Sequence, residues 1–81
     1  MASRQQSVPL LQLVRERREL PPPALRRALR EAATVSLEEV GEQLGVSRQT
    51  VSRWERGERF PRPQHLVAYA ELLRSFRQET S

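Results

Sequence analysis

Apolar positions recur along this chain with the spacing of helices and nowhere alternate as in a strand. In 8–19, Leu10, Leu13 and Val14 fall at i, i+3 and i+4, with Leu11 and Leu20 nearby and Arg15, Arg17 and Arg18 on the other side. The pattern predicts a short amphipathic helix, with Ser7 as its cap and Pro9 in its first turn, where a missing N–H does no harm. Pro21, Pro22 and Pro23 stop it, because successive prolines favour an extended path. A second helix is expected from Pro23 to about Ala33, with Leu25, Leu29 and Ala32 or Ala33 facing inward. Thr34 and Val35 make a short connection. Ser36-Leu37-Glu38-Glu39 then spells a capping box, in which the Ser36 hydroxyl takes the Glu39 N–H and the Glu39 carboxylate reaches back. The helix it opens runs to about Gln43 or Leu44, with Leu37, Val40, Gly41 and Leu44 inward.

Gly45 ends that helix, and only Gly45 and Val46 precede the next cap, Ser47. From Ser47 to Arg56, Val51 and Trp54 are spaced to point inward together. Gly57 suits the left-handed conformation just past a helix end. A loop over 58–62 carries Phe60 and Pro61, and Pro63 opens a last helix, 63–77, with Leu66, Tyr69, Ala70, Leu73 and Phe76 inward. The expected fold is all-α, a compact bundle of about five short helices. A helix, a tight turn with glycine and a second helix crossing the first make a helix-turn-helix. Gly41 is placed where the two helices come closest, and Val51 fills the space between them.

With 81 residues the chain holds one small domain with a thin core. No apolar run reaches membrane-spanning length and the N-terminus has no signal-peptide core. Cysteine is absent and His65 is the sole histidine, so neither a disulfide framework nor a metal site is expected. The net charge of +4 rests on 14 basic residues, all of them arginine. They are unevenly placed: residues 44–62 carry a net +3 and residues 21–43 a net −1. The positive field therefore centres on the Ser47–Arg56 helix, as a nucleic-acid footprint would. The outward side of that helix holds Arg48, Gln49, Ser52, Arg53 and Arg56. Arginine and glutamine carry paired polar groups that match guanine and adenine edges in the major groove. An Arg-rich surface helix is more often simply solvated, and the helix-turn-helix around this one reverses that expectation.

SLEEVGEQLGVSRQTVSRWERGERFP resembles the Cro and lambdoid-repressor, or XRE-type, family of helix-turn-helix proteins. The resemblance spans about Leu25–Leu73, and S-x-W-E-x-G followed by proline is its most specific run. It implies a four-helix repressor-like core, to which the 8–19 helix is an addition outside the family pattern; residues 1–20 read as an N-terminal extension, 21–78 as the DNA-binding domain and 79–81 as a tail. Ser36–Leu44 becomes the supporting helix and Ser47–Arg56 the recognition helix. By the same resemblance, Arg48, Gln49 and Arg53 read bases, with Ser52 a weaker reader. Ser47 and Thr50 at the helix start and Arg56, Arg59 and Arg62 at its far end hold phosphates. Arg30 and Glu55 match a structural ion pair of the family. Departures are Leu37 where a phosphate-contacting Gln often stands, Gly41 in place of Ala, and no further helix after the fourth.

Bland readings stand beside these. Trp54 has the spacing of a packing residue rather than a base-stacking one, and His65 reads as solvent-facing. Glu39 is explained by capping, and Glu38 and Glu42 by a solvated helix face. Arg15, Arg17 and Arg18 serve equally well as DNA contacts or as the solvated side of a packed helix. The expected function is a bacterial or phage transcriptional regulator that binds double-stranded DNA at a palindromic operator as a homodimer, in the cytoplasm on the nucleoid, without a cofactor. One alternative is an antitoxin-like module gripping a protein partner through residues 8–20, and another is a DNA-bending excision factor. No nucleophile–base pair, metal cluster or phosphate-cradling glycine loop suggests an enzyme.

Overall fold

A computed structural model describes residues 9–80. Five helices follow one another: α1 (Leu10–Glu19), α2 (Pro23–Ala32), α3 (Leu37–Leu44), α4 (Arg48–Glu55) and α5 (Pro63–Thr80). There is no strand among the described residues. The fold is all-α, as the hydrophobic periodicity predicts.

The local signals account for most boundaries. Both halves of the Ser36/Glu39 capping box form, at 3.0 Å and 2.8 Å. Ser47 caps α4 by accepting the Thr50 N–H at 3.1 Å. Gly45 and Gly57 both take φ +74°, the left-handed region that a side chain resists. At Gly57 the chain closes a Schellman motif: the Glu58 N–H donates to the Arg53 carbonyl and the Gly57 N–H to the Trp54 carbonyl. The same pair of bonds ends α2, where Val35 N–H donates to Arg30 and Thr34 N–H to Glu31, but there the left-handed residue is Thr34, at φ +61°. Gly41 is demanded by the turn itself. A Cβ at Gly41 would lie 2.5 Å from the Val46 carbonyl oxygen, so even alanine would push the α3–α4 turn outward.

α5 is the spine. Its Leu66, Tyr69, Ala70, Leu73 and Phe76 are all buried, together with Leu20, Val40, Val51 and Trp54. It contacts α1, α2 and α3, while α4 packs on α2 and α3. It also extends to Thr80, beyond the expected end at 77 and into the residues read as a tail.

Two helices turn a different face inward from the one their apolar residues suggest. The Ser7 cap lies outside the described residues; α1 begins at Leu10, with Pro9 at its N-cap rather than in its first turn. Leu10 and Leu11 are more than 70% exposed, and Val14 is exposed as well. The inner side of α1 is Leu13 and buried Glu16, with Leu20 just beyond its end. Glu16 is held by Arg74 of α5 at 3.2 Å, so the helix docks through an ion pair as much as through leucines. In α2, Leu25 is exposed and Arg26 is buried. The inward positions are Arg26, Leu29, Arg30 and Ala33, a full i, i+3, i+4, i+7 face with arginine at two of its four places.

A candidate DNA-binding face

The elements just described hold α4 from behind. Val51 and Trp54 are 0% and 2% exposed, and Trp54 packs on Tyr69 with ring centroids 4.7 Å apart. Trp54 is a core residue. His65 is half-buried, 6.2 Å from the Trp54 ring, and thus less open to solvent than expected. Glu55 also turns inward, onto Arg30 of α2, with the guanidinium forking onto both carboxylate oxygens at 2.6 and 3.0 Å. Arg30 spends its remaining nitrogen on the Val35 carbonyl at 2.9 Å. The hydrogen bonds to Glu55 raise the Arg30 pKa, overcoming the opposing effect of burial.

Arg26 is a second brace, and sequence periodicity misses it because arginine does not count as an inward residue. Its Nε donates to the Pro21 carbonyl at 2.6 Å, and another nitrogen donates to the Trp54 carbonyl at 2.9 Å. Its charge faces the C-terminal end of α4, where carbonyl dipoles favour a cation. The guanidinium lies 6.0 Å from the centre of the Phe60 ring, so one side chain joins α2, α4 and the following loop. Burial lowers its pKa, and no carboxylate partners it among the described residues.

What remains on the outer side of α4 is polar. Arg48 and Gln49 are exposed, Arg53 and Arg56 are exposed, and Ser52 and Thr50 are half-buried. Arg48 comes within 3.9 Å of Glu38 on α3, a loose pair of two exposed side chains. Ser47 lies 3.0 Å from the Thr50 hydroxyl, beside the free N–H groups at the start of the helix. Arg53, Arg59 and Arg62 line one groove with Thr50, Trp54 and His65, where α4, its loop and the start of α5 meet. The fold therefore brings Arg53 into the company of the loop arginines. Because Glu55 faces Arg30, the five arginines of 44–62 meet only Glu58 from their own stretch on the outer face, and Glu38 of α3 lies loosely beside Arg48.

Glu58 is not idle. It chelates Arg56, with Oε2 taking Nε at 2.9 Å and Oε1 taking the second amino group at 3.1 Å. The remaining guanidinium nitrogen of Arg56 donates to the Ser52 hydroxyl at 2.5 Å. These bonds raise the Arg56 pKa and hold the Glu58 carboxyl below the usual carboxylate range. No helix among the described residues is long and apolar enough to cross a membrane, and no cluster of His, Asp or Glu there has metal-ligand geometry.

Two short helices joined by a three-residue turn, the second with a packed inner side and an arginine-rich outer one, define a helix-turn-helix DNA-binding protein. The helix-turn-helix family model matches residues 27–75, more than half of the chain. The chain belongs to the XRE-type helix-turn-helix family, whose ligand is double-stranded DNA. Neither a curated protein nor a solved structure matches it.

Proposed function

We propose that this protein is a sequence-specific transcriptional regulator that lays α4 in the major groove of its operator. The observation that carries the reading is the division of α4 into two sides. Val51, Trp54 and Glu55 are buried, while Arg48, Gln49 and Arg53 are exposed along the other side. In this reading Arg48, Gln49, Ser52 and Arg53 meet base edges. Arginine forks onto guanine O6 and N7, and glutamine bonds adenine N6 and N7. Phosphates fall to Ser47 and Thr50 at the start of α4 and to Arg59 and Arg62 in the loop. Neutralising phosphates releases counterions, so affinity falls steeply with salt. A lone domain reads few bases, so two copies act on a two-fold symmetric site with half-sites about one helical turn apart.

The comparison that tests it is Arg53→Ala against Arg62→Ala, each titrated with a duplex selected from random DNA and with an unselected duplex over a salt series. Loss of Arg53 costs about 1–3 kcal/mol on the selected duplex and little on the other. Loss of Arg62 weakens both alike and reduces the salt slope by about one. Equal weakening of both duplexes by Arg53→Ala removes it from base reading and places it with the loop arginines whose groove it shares.

A further inference from the structure

Three side chains on the outer side of α4 are joined in a fixed order, Glu58 to Arg56 to Ser52. The resemblance gives Arg56 to a phosphate and leaves Ser52 a minor reader, but every nitrogen of Arg56 is already engaged within the chain. Glu58 holds it in the side-on, two-bond geometry that a phosphate would otherwise occupy. Glu58 is itself fixed, since its N–H closes the turn at Gly57 by donating to the Arg53 carbonyl at 2.9 Å.

The consequence falls on Ser52. A guanidinium only donates, so the Ser52 oxygen is an acceptor in this bond and keeps its own proton to give. Serine in a helix commonly gives that proton to the carbonyl one turn back. Ser75 and Thr80 on α5 do so, to Glu71 and Phe76 at 3.1 and 2.8 Å. Ser52 makes no such bond, and no acceptor among the described residues takes its proton. Accepting from a cation also makes a hydroxyl a stronger donor and a poorer acceptor.

We propose that Glu58 and Arg56 form a relay that fixes Ser52 as a hydrogen-bond donor toward DNA, so that Ser52 selects a base edge presenting an acceptor. This rests on the reading of α4 as the major-groove helix. A serine without the relay bonds donors and acceptors alike and discriminates poorly. With it, guanine O6 or N7, adenine N7 and thymine O4 are accepted, and the amino group of cytosine is refused. Arg56 then acts as a positioning residue and neutralises no phosphate.

The test is site selection from random duplex DNA by the full chain, followed by titration of single-base variants of the selected site over a salt series. Ser52→Ala identifies the base pair that Ser52 reads, as the one whose preference it loses, by about three- to tenfold for one hydrogen bond. Arg56→Met and Glu58→Gln, both at the surface, lose the same preference at the same base pair and leave the others intact. Arg56→Met leaves the salt slope unchanged. Glu58→Gln steepens it by about one, as the freed arginine finds a phosphate. The inference is overturned if Ser52→Ala changes no base preference. It is equally overturned if Arg56→Met keeps the preference while flattening the slope by about one, which makes Arg56 a phosphate anchor. If the wild-type chain selects no sequence at all, base reading by α4 itself fails and the relay falls with it.

Discussion

Thr34 holds a conformation that costs it energy. At φ +61° its branched Cβ crowds the following carbonyl, a position that glycine fills at no such cost in the turns after α3 and α4. Thr34→Gly is expected to raise stability by about 1 kcal/mol, read as a higher denaturant midpoint with an unchanged slope. Tyr69 carries a different penalty. Its hydroxyl is buried and has no hydrogen-bond partner among the described residues. Removing an unsatisfied buried group without changing shape is neutral or favourable, so Tyr69→Phe leaves stability unchanged or raises it by up to about 1 kcal/mol. Burial pushes the Tyr69 pKa up, the Glu55 charge adds to this, and Arg26 and Arg30 only partly oppose it. The sign follows: the unfolded chain loses this proton first, so stability falls as pH rises past about 10. As the only tyrosine, it reports by ultraviolet absorbance, and tyrosinate is expected to appear together with unfolding. In Tyr69→Phe that alkaline loss shrinks.

At the scale of elements, α4 is an eight-residue helix that owes its position to its neighbours. Arg30 and Glu55 join it to α2 with side chains only 12% and 6% exposed. Glu55→Ala would leave the half-buried Arg30 charge with only the Val35 carbonyl as a hydrogen-bond partner, at a cost of about 3–5 kcal/mol. That is a large part of what a domain of this size has to spare, so thermal unfolding is expected to drop steeply and DNA binding to vanish with the fold. A denaturant midpoint that hardly moves would mean that Arg30 escapes to solvent when its partner goes. The caps of α3 and α4, the turn between them and the inward stripe of α5 were legible in sequence, because each depends on residues within about one helical turn. The inward face of α2 was only half legible. Leu29 and Ala33 mark it, but periodicity preferred exposed Leu25 over buried Arg26.

Over the whole molecule, α1 adds a layer to the unit formed by α2–α5. It lies along α5, docks with Leu13, Glu16 and Leu20, and leaves Leu10, Leu11 and Val14 outside. Deleting residues 1–20 removes the buried Leu20 and uncovers part of α5. The expected loss is about 2 kcal/mol, or roughly 10 °C in Tm. The exposed leucines offer the same deletion a second readout: light scattering at several concentrations shows whether α1 also joins two copies. An unchanged Tm and an unchanged mass would make α1 a passive arm.

Sequence alone determined the caps and stops of α3 and α4 and that these two form the helix-turn-helix. Those outcomes follow from Ser36 and Ser47 as caps, from Gly45 and Gly57 as left-handed stops, and from the spacing of Val51 and Trp54. The family resemblance pairs Arg30 with Glu55, but only the tertiary structure decided that Arg26 and Glu16 are buried as well and what each charged side chain meets. Arg26 meets a carbonyl 28 residues away, Arg30 a carboxylate 25 away, and Glu16 an arginine 58 away. Burying a charge is costly without a partner and tolerable with one. Whether the partner arrives depends on how α1, α2, α4 and α5 pack, and no local pattern of polar and apolar residues contains that answer.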